Sequence, residues 1–549
     1  MNVTFQRSYG RSGISEKFRL STNSIQARKI SHLPLRFFQL CLTLLLPGIL
    51  AAQDDQKPSG RFVQFSKAAK GSEGAVKIQA ATFLGGSGNE AFTSVNFLGN
   101  GEILAVGRMD PPGVPVLGKD SDGDAEDKPQ PTAFVRLSPD LKSILSMSRL
   151  GSGTCAPFHT EVGEHGVYFA GAAEEHYDSL VALAKHHIMV PNPATDARTM
   201  RTRHRFIAKL NHACTELDWL VTFQRLRVDF SLLDGGNVLV NNGRKFWKVS
   251  PDGKVGPGPV LPDSIKWRGN VVIRTDSRDG SIYIGGEYHS PTGLEPWRCP
   301  TLYKLDKDGN PIWTAWNWTG PIVGTDRYRL VSDSAVRQLQ VAASGDLVIG
   351  GWSDGGNSCF LNQPYDLTIR RKASKFGDST WGAGVLSVAH IMKLDSETME
   401  LQGGCTWLTY NPTENKPNSC RINSLDELAD GRVVFTGGST FGLIESPDAW
   451  VEAWWTAYQR DPAQAKVKGG PYFAILSPDF NELLFSTLVP GVGDQVFAVQ
   501  GNKVILAGKA KEREERYGLN IPTFAVNAIQ PQFGGGDSDG YLMLIDTGK

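Results

Sequence analysis

One short pattern limits what this chain can become: a turn glycine, a run of apolar residues, then a second glycine. It reads Gly101-Glu-Ile-Leu-Ala-Val-Gly107 and returns at Gly166–Gly171, Gly280–Gly285, Gly345–Gly350, Gly431–Gly437 and Gly501–Gly508. A further copy, Gly236-Asn-Val-Leu-Val240, runs into Asn241-Asn242-Gly243 in place of a single closing glycine. Each of the seven copies reads as a turn feeding a short strand buried on both faces. A unit that cannot bury itself must stack on its neighbours, so the fold is expected to be built from repeats.

A second element alternates with the first. Its copies are Ala133-Phe-Val-Arg-Leu137, Phe206-Ile-Ala-Lys-Leu210, Phe246-Trp-Lys-Val249, Leu302-Tyr-Lys-Leu305, Ile391-Met-Lys-Leu394, Phe473-Ala-Ile-Leu476 and Tyr541-Leu-Met-Leu-Ile-Asp546. Most run into Ser-Pro-Asp or Asp-Gly, residues that supply turn chemistry. A further strand follows most copies, as in Ile144–Leu150 and Leu217–Phe223, and an apolar segment precedes most glycine units, as in Phe92–Phe97. Each period therefore holds four strands, A to D, with B the glycine-bounded strand and C the Lys-Leu strand.

Seven four-stranded units predict an all-β fold: a seven-bladed β-propeller of antiparallel blades around a central channel. From residue 53 onward there are about 71 residues per blade, against roughly 40–50 in familiar propeller repeats. The surplus falls mostly between B and C, at 109–132, 174–204, 288–300, 354–389, 440–471 and 511–539. Loops between B and C leave the blade on the same side as the D-to-A crossings, so one face is expected to be decorated and to carry binding. The chain stops after a C strand, while Ala75–Leu84 has D character and precedes the first A. Residues 76–83 are therefore expected to pair antiparallel with Tyr541–Asp546 and close the ring, removing an exposed edge.

The front of the chain reads as an export signal. Residues 1–36 hold seven basic side chains and one acid, Glu16; an apolar run from Phe37 to Leu46 and the small residues through Ala52 follow. This order predicts a secretory signal over 1–52, cleaved near Ala52. Residues 53–74 read as a disordered leader, 75–549 as the propeller, and the location as periplasmic or secreted. No later apolar run is long enough to span a membrane.

With 57 basic and 57 acidic residues, the chain lacks the positive footprint of a nucleic-acid binder. Six cysteines follow the signal, and an exported chain can oxidise them. Cys405 and Cys420 flank the Pro/Asn-rich crossing Tyr410–Pro417, which can fold back and let them join. Cys299 and Cys359, in B–C loops of neighbouring blades, are a second expected pair.

Thr82-Phe-Leu-Gly-Gly-Ser-Gly88, Ala133-Phe-Val-Arg-Leu-Ser-Pro-Asp140 and Ala528–Gly540, with its Gly-Gly-Gly-Asp-Ser-Asp-Gly run, resemble the seven-bladed β-propeller repeat family of bacterial exported proteins. The match is close at the two ends and degenerate in blades 2 to 6. The resemblance implies an extracytoplasmic propeller and implies no activity or catalytic residues.

Chemistry-bearing residues are few. Seven of the ten histidines lie in 159–212. Glu174, Glu175, His176, His186 and His187 share the second B–C loop, where they either converge on a divalent metal or form a solvated polar loop. Asp120, Asp122 and Asp124 resemble the start of a calcium loop, although Ala125 and Pro131 stand where glycine and glutamate are wanted. Trp450 and Trp454 fall on one face of an expected helix over 448–458; they either stack on sugar rings or fasten the helix to the blade. No nucleophile elbow or phosphate loop is written here. The reading is a monomeric binding or scaffold module whose partner on the B–C loop face is a protein or a carbohydrate. The alternative is a hydrolase or lyase acting on polysaccharide through that face.

Overall fold

The computed structural model describes residues 76–109, 116–117, 131–150, 155–173, 177–191, 204–223, 228–241, 245–261, 271–289, 298–316, 333–354, 359–372, 387–411, 416–441, 443, 446–450, 469–489, 495–516 and 519–548. Seven sheets, each with four antiparallel blade strands, form the expected propeller; the strands are consecutive in sequence in six blades, and the seventh takes one from the N-terminal side. The A strands are Ala91–Phe97, Cys155–Gly163, Asp229–Leu232, Val272–Thr275, Ser334–Val341, Cys420–Glu427 and Val496–Gln500. Each packs against the A strands of both neighbours, and the seventh packs against the first, so the ring is closed.

The core is divided into seven apolar layers, one between each pair of adjacent blades. This explains why B and C read as unbroken apolar runs. In Ile103–Arg108, Leu104 and Val106 enter the layer toward blade 2, while Ile103 and Ala105 enter the layer toward blade 7. A strand buried on both faces has no polar face to alternate with.

The glycines that define the repeat have separate causes. The opening glycine takes the left-handed conformation of the A–B turn, with φ +95° at Gly345 and +85° at Gly431. The closing glycine faces a bulge in strand A. Gly437 pairs with Ile422, where the register slips before Ser424. A Cβ on Gly437 would lie 1.8 Å from the Arg421 carbonyl. Gly107 meets the Ala91 carbonyl in the same way, at 2.1 Å, beside the slip between Phe92 and Ser94.

The lysine of strand C ties blades together. Lys393 of blade 5 donates to Glu427 of blade 6 at 2.7 Å. Lys304 of blade 4 pairs with Glu397 and donates to the Ser396 carbonyl of blade 5 at 3.2 Å.

Closure occurs as expected. Lys77–Leu84 pairs antiparallel with Asp539–Asp546 as the outermost strand of blade 7. Its side chains divide by parity: Ala81 and Phe83 enter the layer toward blade 6, Ala80 and Leu84 the layer toward blade 1. Its outer edge is partly covered, because Val526 and Gln530 bridge to Ala81 and Phe83.

Two loop expectations change. In blades 1 and 2 the B–C excursions do not stay on one face. They return along the outer edge, where Val116–Leu117 and His186–Val190 pair parallel with strand D. An edge strand presents unpaired backbone groups, and these segments occupy them. A seven-residue helix, Tyr177–Leu183, precedes the second of them and was not legible in the sequence. The helix expected over 448–458 lies, from 451 onward, outside the described residues. The crossing between blades 5 and 6 does fold back, as the hairpin Thr409–Asn411 with Lys416–Asn418.

Candidate functional site

Channel-facing chemistry comes from the A strands. Counting back three residues along strand B from Gly107, Gly171, Gly286, Gly351, Gly437 and Gly508, the second glycine of the pair in blades 4 and 5, and taking Leu239 in blade 3, selects one register level. At that level the inner strands carry Asn96, Glu161, Ser231, Arg274, Gln340, Asp426 and Ala498. Six of the seven are polar, on the innermost strands of a ring whose other layers are apolar. All but Ser231 are half-buried. The level lies close to the A–B turns, at the end of the channel away from the B–C loops.

Polar contacts run from blade to blade along this belt. Asn96 Nδ2 donates to the Thr160 carbonyl of blade 2 at 3.1 Å. Glu161 Oε2 accepts the Leu232 amide of blade 3 at 2.8 Å. Ser231 lies 3.4 Å from the Thr275 hydroxyl of blade 4. Arg274 Nε donates to Gln340 Oε1 of blade 5 at 2.9 Å. Two residues up the strand, Gln338 Nε2 donates to the Asn423 carbonyl of blade 6 at 2.7 Å. Side chains here replace the apolar packing used farther out.

The next level up holds His159 of blade 2 beside Asp229 of blade 3. His159 Nδ1 lies 2.9 Å from Asp229 Oδ1 and Nε2 lies 3.2 Å from Glu161 Oε1. The ring stacks on Phe230, centroids 4.6 Å apart. Burial alone would lower the histidine pKa; hydrogen bonds to Asp229 and Glu161 outweigh it and raise it to about 9. His159 is therefore an imidazolium at neutral pH, and Glu161 is neutralised in place.

Arg274 and Asp426 are not neutralised in this way. Arg274 spends Nε on Gln340 and Nη1 on its own strand's Ile273 carbonyl, at 2.6 Å. Asp426 Oδ1 accepts the Glu427 amide at 2.8 Å. Desolvation pushes the Asp426 carboxyl up to about 6, and the nearby Arg274 charge pulls against that rise. The two charges sense each other without closing an ion pair.

A second polar group sits on the loop face between blades 4 and 5. Glu287, almost fully buried, accepts from Arg337 at 3.0 Å and lies 3.5 Å from Arg298. Arg298 is also fixed by Asp333 at 2.7 Å. Both guanidinium groups lie over the Trp352 ring, 5.2 and 5.3 Å from its centroid. This network joins the B and C strands of blade 4 to blade 5 and is satisfied within itself.

The described histidines and tryptophan singled out from sequence lie away from the channel belt. His186 and His187 lie on the outer edge strand of blade 2, away from the channel. His187 Nε2 is 2.9 Å from the Tyr177 hydroxyl and 3.2 Å from that of Thr222, and burial lowers its pKa. Trp450 stacks on Phe473 at 5.7 Å and leans on Phe485 at 5.1 Å, so its ring is spent on blade 6. Asp120, Asp122, Asp124, Glu174, Glu175, His176 and Trp454 lie outside the described residues. Among the described residues no three His, Cys, Asp or Glu side chains are grouped to hold a metal. Cys405 and Cys420 share one apolar layer, and Cys299 and Cys359 share another; all four are thiols in this structure. Cys299 belongs to strand C, not to a loop, because its pairing with Tyr288 extends the ladder outward.

The belt was missed because its signal is spread over seven short segments. Most show polar residues two apart, such as Gln338 and Gln340 or Ser424 and Asp426, but only the strand register puts them at one level.

No family model matches the sequence, and no curated protein sequence matches it. Solved structures match at low identity. The Dos1 propeller is 9% identical, covering 87% of this chain and 97% of that one, with a TM-score of 0.37. BamB from Moraxella catarrhalis is 11% identical, covering 86% and 99%, with a TM-score of 0.34. A streptogramin B lyase is 8% identical, covering 85% and 97%, with a TM-score of 0.36. At such values the likenesses say nothing of activity, and the fold stands on its own strand pairing.

Proposed function

We propose that this chain is an exported binding or scaffold module that holds a protein or carbohydrate partner on the B–C loop face. One observation carries the reading: the B–C excursions spring from the rim of a closed seven-blade ring, a rigid base for variable loops. The Glu287–Arg298–Arg337–Trp352 network stiffens that rim between two blades. We propose with it a cleaved signal over 1–52, a periplasmic or secreted location, and membership of the exported propeller-repeat family that the two chain ends resemble. Oxidation after export would join Cys405 to Cys420 and Cys299 to Cys359; a loop of about 15 residues closed in this way contributes roughly 3 kcal/mol.

The test is a binding screen of the chain from residue 53 onward, against a glycan array and against proteins of its own compartment. Saturable binding should be lost when the hairpin Arg513–Arg516 with Leu519–Pro522 and the 355–386 loop are shortened. It should survive substitutions in the C–D turns on the opposite face. Binding unaffected by both loop deletions would exclude the loop face.

A further inference from the structure

The channel belt has a property unrelated to the loop face. Its two uncompensated charges, Arg274 and Asp426, stand at one register level on blades 4 and 6, with Gln340 of blade 5 between them. Arg274 Nη2 and Asp426 Oδ2 make no bond among the described residues. Gln340 spends its carbonyl oxygen on Arg274, and its amide nitrogen makes no bond among the described residues. The rest of the belt differs: Glu161 is satisfied by a backbone amide and an imidazolium, Asn96 and Ser231 are bonded to the next blade, and Ala498 is inert.

Holding two opposite charges apart in a half-buried site is costly. Each loses hydration, and attraction across a gap with no direct hydrogen bond returns only part of it. A stability-optimised belt would pair them or use neutral groups, as it does on the other side of the channel. The arrangement suits a guest that brings the complementary charges: an anion for the guanidinium and the Gln340 amide, and a cation for the carboxylate.

We propose that the channel binds a free amino acid between Arg274 and Asp426. Its carboxylate is received by Arg274 and Gln340, and its ammonium by Asp426. The proposal does not depend on the loop-face reading, because the belt lies at the opposite end of the channel.

Isothermal titration calorimetry of the purified chain against each of the twenty free L-amino acids tests it. At least one should bind saturably. The N-acetyl and carboxamide derivatives of that amino acid, each lacking one charge, should bind at least about tenfold more weakly, the loss expected for one charge-assisted contact. Arg274→Gln and Asp426→Asn should each weaken binding to a similar degree, while Ser231→Ala should leave it unchanged. Failure of all twenty to bind overturns the proposal. So does equal binding of the capped derivatives, a comparison made on the unaltered protein whatever the variants do to folding.

Discussion

His159 of blade 2 and Asp229 of blade 3 meet at 2.9 Å, at the inner edge where the shortest blade joins the ring. Blade 3 has strands of only three or four residues, and this contact adds a charged link to the apolar layer that joins it to blade 2. The folded imidazole has a pKa near 9, against an ordinary value of 6.5. Its stabilisation is full below about 6.5 and is lost as pH rises through 9. Wild type should lose stability between pH 7 and 10 by at most about 3 kcal/mol, and His159→Gln should be flat over that range. Thermal melts across the range check this; parallel curves for the two proteins would remove His159 from the account.

Asp426 has the opposite sign. Its folded pKa of about 6 lies above the ordinary carboxylate value of 3.8, so ionisation costs stability. The cost begins as pH rises through 3.8 and is complete above about 6. Asp426→Asn should therefore stabilise the ligand-free protein at pH 7.5 by about 1–2 kcal/mol and change little at pH 3.5. Denaturant titrations at the two pH values measure it. A variant that is more stable yet cannot bind would mark Asp426 as a residue kept for its charge.

Neighbouring glycines separate the two roles of glycine in strand B. Gly437→Ala forces a Cβ to 1.8 Å from the Arg421 carbonyl, whereas Gly438→Ala meets nothing within 4 Å. The first should cost about 3 kcal/mol, and the second should fall within about 0.5 kcal/mol of wild type. Equal midpoints in chemical unfolding would refute the bulge as the cause of the repeat's closing glycine.

That glycine shows why the fold was legible. A strand A bulge and a strand C lysine are local demands, each met in four of the seven blades, so they leave a pattern that can be counted. Ring closure was legible for the same reason: one strand type was missing at one end and spare at the other. The belt left no such mark. Whether Arg274 and Asp426 stand at one level depends on the register of two sheets separated by about 150 residues. The histidines' clustering in sequence carried no information about depth in the blade. His186 and His187 follow Ile188–Val190 to the outer edge, where the backbone of strand D lacked a partner.

Closure gives a further test. A chain beginning at residue 75 should melt like the chain beginning at 53. One beginning at 87 loses Ala80, Ala81, Phe83 and Leu84 from two apolar layers; it should melt at least about ten degrees lower or be recovered insoluble. Equal melting of the two truncations would show that the last blade stands without its fourth strand.

The same strand sets a schedule. Gln79 bonds Asp546 across 467 intervening steps of chain, so a polypeptide made from its N-terminus produces the closing strand first and its partner last. At roughly 5–20 residues per second, Lys77–Leu84 must wait about half a minute to a minute and a half with its apolar face uncovered. Six blades can assemble during that interval, but the seventh cannot. The two apolar layers that Lys77–Leu84 enters in the closed ring can be completed only after Asp539–Asp546 has been made.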